Sequence, residues 1–139
     1  MNKYAKILDW LKQYNFKYEW IDFNVTPVIV GNVSVNSATG IRELERYLDG
    51  TRRVEMQFSI DLITEYDTEQ STINLEAIQE FQDISEWIDE QNEQGNYPDI
   101  DGVIIEEVSG LQLYPTLTID GSMNKAKYQG QYKLTYMEE

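Results

Sequence analysis

Polar and apolar residues alternate with a period of two in two long segments of the chain. From Val54 to Leu62 every second residue is apolar, and from Ala126 to Tyr136 small, apolar and aromatic residues alternate with polar ones. Successive side chains of a strand point to opposite faces of a sheet, so both segments are predicted to be strands with one buried face. Phe58, Ile60 and Leu134 lie on these faces and are expected in the core.

Two other segments have the period of an α-helix. Apolar residues recur every three or four positions from Tyr4 to Tyr14, which predicts a short amphipathic helix. The same spacing returns from Thr72 to Gln94, with Phe81 and Ile84 in the apolar stripe. Gly95 follows directly and is a typical end signal for a helix. Phe81 and Ile84 are therefore expected to pack on the sheet.

Shorter apolar runs predict further strands. Alternation from Phe16 to Trp20 and the β-branched "VIVGNVSV" are typical of strands, whereas "NSATG" is predicted to be a loop. The next segment, "IRELERYLDG", fits either a helical turn or an exposed edge strand, so residues 28–48 stay open between strand and partial helix. "VIIEEV" and "LQLYPTLTI" are predicted to be two strands bridged by Ser109 and Gly110.

An Asp-Gly pair precedes each of the two long strands, in "LDGTRRVEMQFSIDL" and "IDGSMNKAKYQGQYKLTY". Glycine readily adopts the positive φ of a tight turn, so both pairs are predicted to form hairpins. The order is then helix, strands, helix, strands. This order predicts an α+β fold, in which residues 1–139 form a single domain with two helices packed on an antiparallel sheet.

The charge is strongly negative and unevenly placed. The net charge is −14, from 25 acidic and 11 basic residues, which argues against binding to nucleic acid or to anionic membranes. No Lys or Arg occurs between Arg53 and Lys125. The predicted second helix has an outer face, the acidic face, which consists of Glu76, Gln79, Glu80, Asp83, Glu86, Asp89, Glu90 and Glu93. Such a face is either simply solvated or one half of an interface.

Several kinds of catalytic and metal site are excluded by the residue types. The chain has no His and no Cys, which removes Ser-His-Asp triads, thiol nucleophiles and the usual zinc ligand sets. The segment "PDIDG" resembles a calcium loop, but Tyr97 and Val108 occupy the first and last ligand positions. Adjacent residues of a strand face opposite ways, so Glu106 and Glu107 are not expected to act together. We expect no catalysis, no cofactor and no metal site.

Targeting signals are not predicted either. The sequence contains no apolar run near the length of a membrane span. The first segment, "MNKYAKILDW", is interrupted by Asp9 and does not have the pattern of a signal peptide. Together with the lack of Cys, this predicts a protein made in the cytoplasm.

The order of four segments resembles that of a known protein family. They are the "ILDWLKQY" helix, the "YLDGTRRVEMQFSIDL" hairpin and strand, the "FQDISEWIDEQNEQGNYP" helix and the closing "AKYQGQYKLTYMEE" strand. This order resembles the small minor capsid and tail-terminator proteins of long-tailed bacteriophages of Gram-positive hosts, over most of the chain. The resemblance implies a non-enzymatic virion protein of the head–tail junction, assembled in the host cytoplasm. Such proteins form a ring, usually a homohexamer, that caps the tail tube and joins it to the head, with tail-tube and head-connector proteins as partners.

A ring requires one surface of a subunit to meet a different surface of its neighbour. We expect the basic residues after the Asp-Gly pairs to meet part of the acidic face. The basic set is Arg52, Arg53, Lys125 and Lys127, and the acidic set is Glu80, Asp83, Glu86 and Glu90. An acidic DNA mimic that blocks a DNA-binding protein is the alternative function, and a carboxylate-based hydrolase is a third.

Overall fold

The computed structural model describes residues 3–14, 19–20, 32–65, 71–111, 116–120 and 125–139. Within these ranges, two helices and six strands follow one another along the chain. They are α1 (Lys3–Leu11), β1 (Glu19–Trp20), β2 (Asn32–Arg46), β3 (Arg52–Glu65), α2 (Ser71–Gln94), β4 (Val103–Gly110), β5 (Thr116–Asp120) and β6 (Lys125–Glu138).

Five of these strands form one antiparallel sheet in which β6 is central. Its neighbours are β3 on one side and, on the other, β4 along one half of its length and β5 along the other half. Strand β2 lies outside β3, and the two-residue β1 pairs with the start of β2 in parallel. With its two helices this is an α+β single-domain layout, so the predicted fold class is confirmed.

The core lies between the helices and one face of the sheet. All five apolar residues that alternate through β3, from Val54 to Leu62, are fully buried. Helix α2 contacts β3 and β4, while α1 contacts β2. The two helices also meet each other, since the ring of Trp87 lies 5.0 Å from that of Trp10 and 5.7 Å from that of Tyr14. The five residues expected in the core, Phe58, Ile60, Phe81, Ile84 and Leu134, are all buried.

A glycine in the central strand lets α2 approach the sheet closely. A Cβ atom at Gly130 would lie 3.0 Å from two ring carbons of Phe81 and 3.0 Å from the ring of Tyr132. That distance is tighter than nine in ten contacts of real Cβ atoms, so a side chain here would require the neighbouring rings to shift by a few tenths of an ångström. The ring of Tyr132 in turn stacks on Phe58 at 5.6 Å and its hydroxyl lies 3.1 Å from that of Ser85. On the buried face of β6, Gly130 therefore leaves a space between larger side chains, and the ring of Phe81 from α2 fills it.

The structure differs from the sequence-based expectations in three places and decides a fourth that was left open. Helix α1 ends at Leu11 rather than Tyr14, and a tighter turn follows, in which Tyr14 N–H donates to the Leu11 carbonyl. The predicted loop "NSATG" is wrong, because these residues belong to β2. The open segment "IRELER" is strand, also in β2. Ser109 and Gly110 belong to β4 and do not bridge two strands.

One physical cause explains both outcomes in β2. The long alternating strand β3 offers backbone hydrogen bonds along its whole length, and pairing outweighs the weak local preference of Asn, Ser and Gly for turns. The pairing skips from Ser37 opposite Phe58 to Ile41 opposite Met56, so β2 accommodates extra residues as an irregularity. The expected strand residues Phe16, Tyr18 and 28–31, and Gly121 of the second Asp-Gly pair, lie outside the described residues.

Burial of Tyr132 predicts a loss of stability in alkali. Burial raises the pKa of this phenol to about 12, although the hydrogen bond with Ser85 opposes the shift. The unfolded chain releases the proton near pH 10 and the folded chain retains it, so stability falls as pH rises from about 10 to 12. For Tyr132 alone the loss is about 2 kcal/mol by pH 12. The free energy of unfolding, measured with urea, is expected to be lower at pH 12 than at pH 8. Tyr132→Phe should make this difference smaller by about the same amount. An unchanged difference would contradict the burial of this hydroxyl.

Candidate interaction surfaces

The hairpin between β2 and β3 is exposed along its outer strand and its turn. Every residue from Ile41 to Gly50, the segment that we call the arm, is exposed to solvent. On the adjoining strand β3, by contrast, Val54 and Met56 are fully buried. The arm is therefore part of the sheet. The two described helices leave its outer strand, residues 41–46 of β2, uncovered.

The turn at the end of the arm is held by several hydrogen bonds. Tyr47 N–H donates to the Thr51 carbonyl at 2.8 Å, and Gly50, with φ of +92°, donates to the Tyr47 carbonyl at 3.1 Å. One carboxylate oxygen of Asp49 accepts from both the N–H and the hydroxyl of Thr51, at 3.0 and 2.6 Å. These bonds lower the pKa of Asp49. The predicted Asp-Gly hairpin is confirmed here, and its end has a fixed shape.

Four of the exposed residues of the arm are large and apolar. The exposed fractions are 54% for Ile41, 37% for Leu44, 41% for Tyr47 and 110% for Leu48. Leu48 at the tip is thus as open as in an extended chain. Clustered exposed apolar residues are characteristic of surfaces that bind another molecule. We therefore regard the arm as the leading candidate interaction surface.

The two arginines at the base of the arm are paired within the chain. Arg52 forms an ion pair with Glu138, which raises the pKa of Arg52, and lies 4.0 Å from Glu43. Arg53 Nε donates to Glu106 Oε1 at 3.0 Å. Their charges are thus largely balanced by glutamates of β2, β4 and β6. Reversing both arginines would break these cross-strand pairs in addition to any contact with a neighbouring molecule.

The other predicted basic residues lie at the opposite end of the sheet. Arg52 pairs in register with Glu138, whereas Glu65 pairs with Lys125 at the other end of β3. Thirteen residue steps of strand separate these ends by roughly 40 Å. Lys127 Nζ lies 3.8 Å from an oxygen of the buried Asp61, and the side chain of Lys125 lies outside the described part. The structure therefore does not bring the four basic residues together.

The acidic face of α2 is a continuous surface. The helix has 24 residues, none of them basic. Within it, Glu80 and Asp83 are half-buried and Glu86 and Glu90 are exposed, so the structure brings these four predicted residues together. Burial raises the pKa of the neighbouring Tyr14 to about 12, with help from the charges of Glu80, Asp83 and Glu86. The carboxylates thus produce a negative potential strong enough to affect a nearby phenol.

The two edges of the sheet differ in how their backbone groups are satisfied. Asn92 of α2 donates to the Val108 carbonyl at 2.5 Å and accepts from Val108 N–H at 2.9 Å. The Tyr97 hydroxyl donates to the Glu106 carbonyl at 3.0 Å. These side chains occupy the positions that another strand would take beside β4. Along Ile41–Arg46 of β2 the described residues provide no such partner, so within this part of the chain the edge is open.

Sequence analysis missed the apolar residues of the arm and the capping role of Asn92. One feature of the sequence could have indicated the arm, namely Leu48 directly before the Asp-Gly pair. An apolar residue does not help to form a turn, so its presence there suggests a contact with another molecule. Asn92 gave no signal, because its role depends on the position of β4 beside α2.

Two other features, a metal site and a membrane-spanning helix, do not occur among the described residues. No group of three or more acidic side chains in these ranges is arranged to hold a metal ion. Neither described helix is both long and apolar enough to cross a membrane. In comparisons with known proteins, no protein-family model matches the chain, and no curated protein matches it.

Proposed function

We propose that this chain is a structural virion protein of the phage head–tail junction, a tail terminator or minor capsid protein. Its subunits form a ring, six in number, that caps the tail tube and joins it to the head. The exposed apolar arm is the observation that carries this proposal. A hydrogen-bonded hairpin turn with the exposed Leu48 at its tip is suited to a heterologous contact, in which it inserts into the next subunit and rotation closes the ring.

The energetics favour an apolar ring contact with electrostatic guidance. Exposed ion pairs contribute only about 0–1 kcal/mol each, and those of Arg52 and Arg53 already form within one chain. Burial of the arm residues therefore supplies the affinity in this proposal, while the acidic face of α2 orients approaching subunits. A ring with acidic inner walls would also repel the phosphates of DNA and let the genome pass.

Electron microscopy of the purified protein, alone and mixed with tail tubes, tests the proposal. We expect closed six-subunit rings at the ends of the tubes and few or none in the free protein, because the tube end provides the template. Tail tubes of an unrelated phage serve as the control and should stay uncapped. Tube ends of the native phage that remain bare at a large excess of the protein would refute the proposed role.

An acidic DNA mimic is the second candidate function, and the length of the acidic face favours it. A helix of 24 residues is about 36 Å long and can present carboxylates at spacings like those of backbone phosphates. Such a protein would bind a DNA-binding protein of the host, and added duplex DNA would displace it. Capping of tail tubes would decide against this candidate.

A further inference from the structure

The open edge of β2 raises the question of what pairs with it. Residues 41–46 are exposed, and the opposite edge of the sheet, β4, is closed by Asn92 and Tyr97. Unpaired strand edges attract other strands, so proteins normally cover or charge them. Because β4 is closed, a second copy cannot continue the sheet by adding its β2 beside β4. Pairing of β2 with β2 remains available.

We propose that residues 41–46 of β2 pair antiparallel with the same residues of a second copy across a two-fold axis. The segment reads Ile-Arg-Glu-Leu-Glu-Arg. With the axis between Glu43 and Leu44, Arg42 of each copy lies opposite Glu45 of the other. Opposite charges in directly facing positions stabilise an antiparallel pair. The two-fold symmetry forms this contact twice.

An irregularity in β2 makes this register possible. Directly opposite residues must lie on the same face of a continuous sheet, and in a regular strand Arg42 and Glu45 would lie on opposite faces. The pairing with β3 skips a residue between Glu43 and Glu45. Arg42 therefore faces Glu55 and Glu45 faces Arg53, two β3 residues that share the face away from the helices.

A regular strand would not allow this register. Without the extra residue, an axis through Leu44 would place Arg42 opposite Arg46, and Glu43 opposite Glu45. Like charges in facing positions are destabilising. The skipped residue thus replaces these two kinds of repulsive pair by one kind of attractive pair, that of Arg42 with Glu45. The next pair, Ile41 opposite Arg46, also fits this register. Ile41 and Arg46 pair with Met56 and Arg52 of β3, which both lie on the side of the sheet toward the helices.

This inference does not depend on the proposed function, but the two are connected. Pairing of two arms would occupy a surface that the ring contact uses. In combination with the proposed function, the dimer is then an unassembled form that opens when a tail tube is present.

The charges of the arm allow a test by exchange. Arg42→Glu places Glu opposite Glu45, and Glu45→Arg places Arg opposite Arg42, so each single variant is expected to dimerise about tenfold or more weakly. An equimolar mixture of the two variants restores both attractive pairs and should form heterodimers. The double variant Arg42→Glu/Glu45→Arg restores them within homodimers, even though its internal pair with Glu55 is lost.

Sedimentation velocity over a wide protein concentration range at low salt measures the effect. The wild-type protein should show twice the 16.3 kDa of one chain at high concentration. Lys12→Glu and Glu93→Arg, which reverse exposed charges outside the arm, are controls that should dimerise like the wild type. A wild-type protein that stays monomeric throughout, or a mixture no more dimeric than its components, would overturn the inference. Tail capping that persists in either case would leave the proposed function standing.

Discussion

Phe81→Ala is expected to lower the free energy of unfolding by about 3–5 kcal/mol. The side chain is 3% exposed and fills the space above Gly130, where no other side chain of β6 can take its place. Removal of the ring leaves a cavity whose walls are the sheet and α2, and neither can close it without losing contacts elsewhere. Urea unfolding followed by far-ultraviolet circular dichroism measures the loss.

A second substitution shows whether the cavity has the described location. Gly130→Ala should cost about 1–3 kcal/mol in the wild-type background, because its Cβ would lie 3.0 Å from the Phe81 ring. In the Phe81→Ala background the same change should cost less, since only the contact with the Tyr132 ring remains. Equal costs in the two backgrounds would show that Phe81 and Gly130 do not contact each other.

Leu48→Asp is expected to abolish ring formation on tail tubes while leaving the fold intact. Leu48 makes no buried contact in the isolated subunit, so stability should stay within about 0.5 kcal/mol of the wild type. In the proposed ring the same residue is buried against a neighbour, where a carboxylate would be desolvated without a partner. Tube occupancy in electron micrographs should fall by at least about tenfold.

Leu75→Asp is the matched control for this prediction. Leu75 is also an exposed leucine, at 63%, but it lies on α2 and outside the arm. Its replacement should leave tube capping close to the wild-type level. Normal capping by Leu48→Asp would remove the arm tip from the ring contact. A large loss for both variants would indicate a general effect of added charge.

The elements with a long periodic pattern could be predicted from the sequence. The nine alternating residues of β3 and the apolar stripe of α2 fix which side of each element is buried, because burial of apolar area is the largest favourable term in folding. The hairpin at Asp49 and Gly50 was predictable for a different reason, since it depends on the backbone freedom of glycine. The antiparallel α+β layout follows from these elements together.

Features that depend on distant partners could not be predicted. The "NSATG" segment has local turn preferences and becomes strand only because β3 lies beside it. The pairing of Arg53 with Glu106 joins residues more than fifty positions apart and requires β6 to lie between β3 and β4. The basic residues after the two Asp-Gly pairs were expected to form one interaction surface. The antiparallel pairing of β3 with β6 instead places them at opposite ends of the sheet.

The central place of β6 also determines when this protein can fold during its synthesis. Strands β3, β4 and β5 all hydrogen-bond to β6, yet residues 125–138 are the last of the sheet to leave the ribosome. Until then β3 and β4 have no strand between them, and the apolar face of β3 cannot be fully covered. Nascent chains therefore expose this face until β6 has emerged, and contacts of such long sequence separation form slowly. Protection by a ribosome-associated chaperone is accordingly expected to matter most just before translation of β6 is complete.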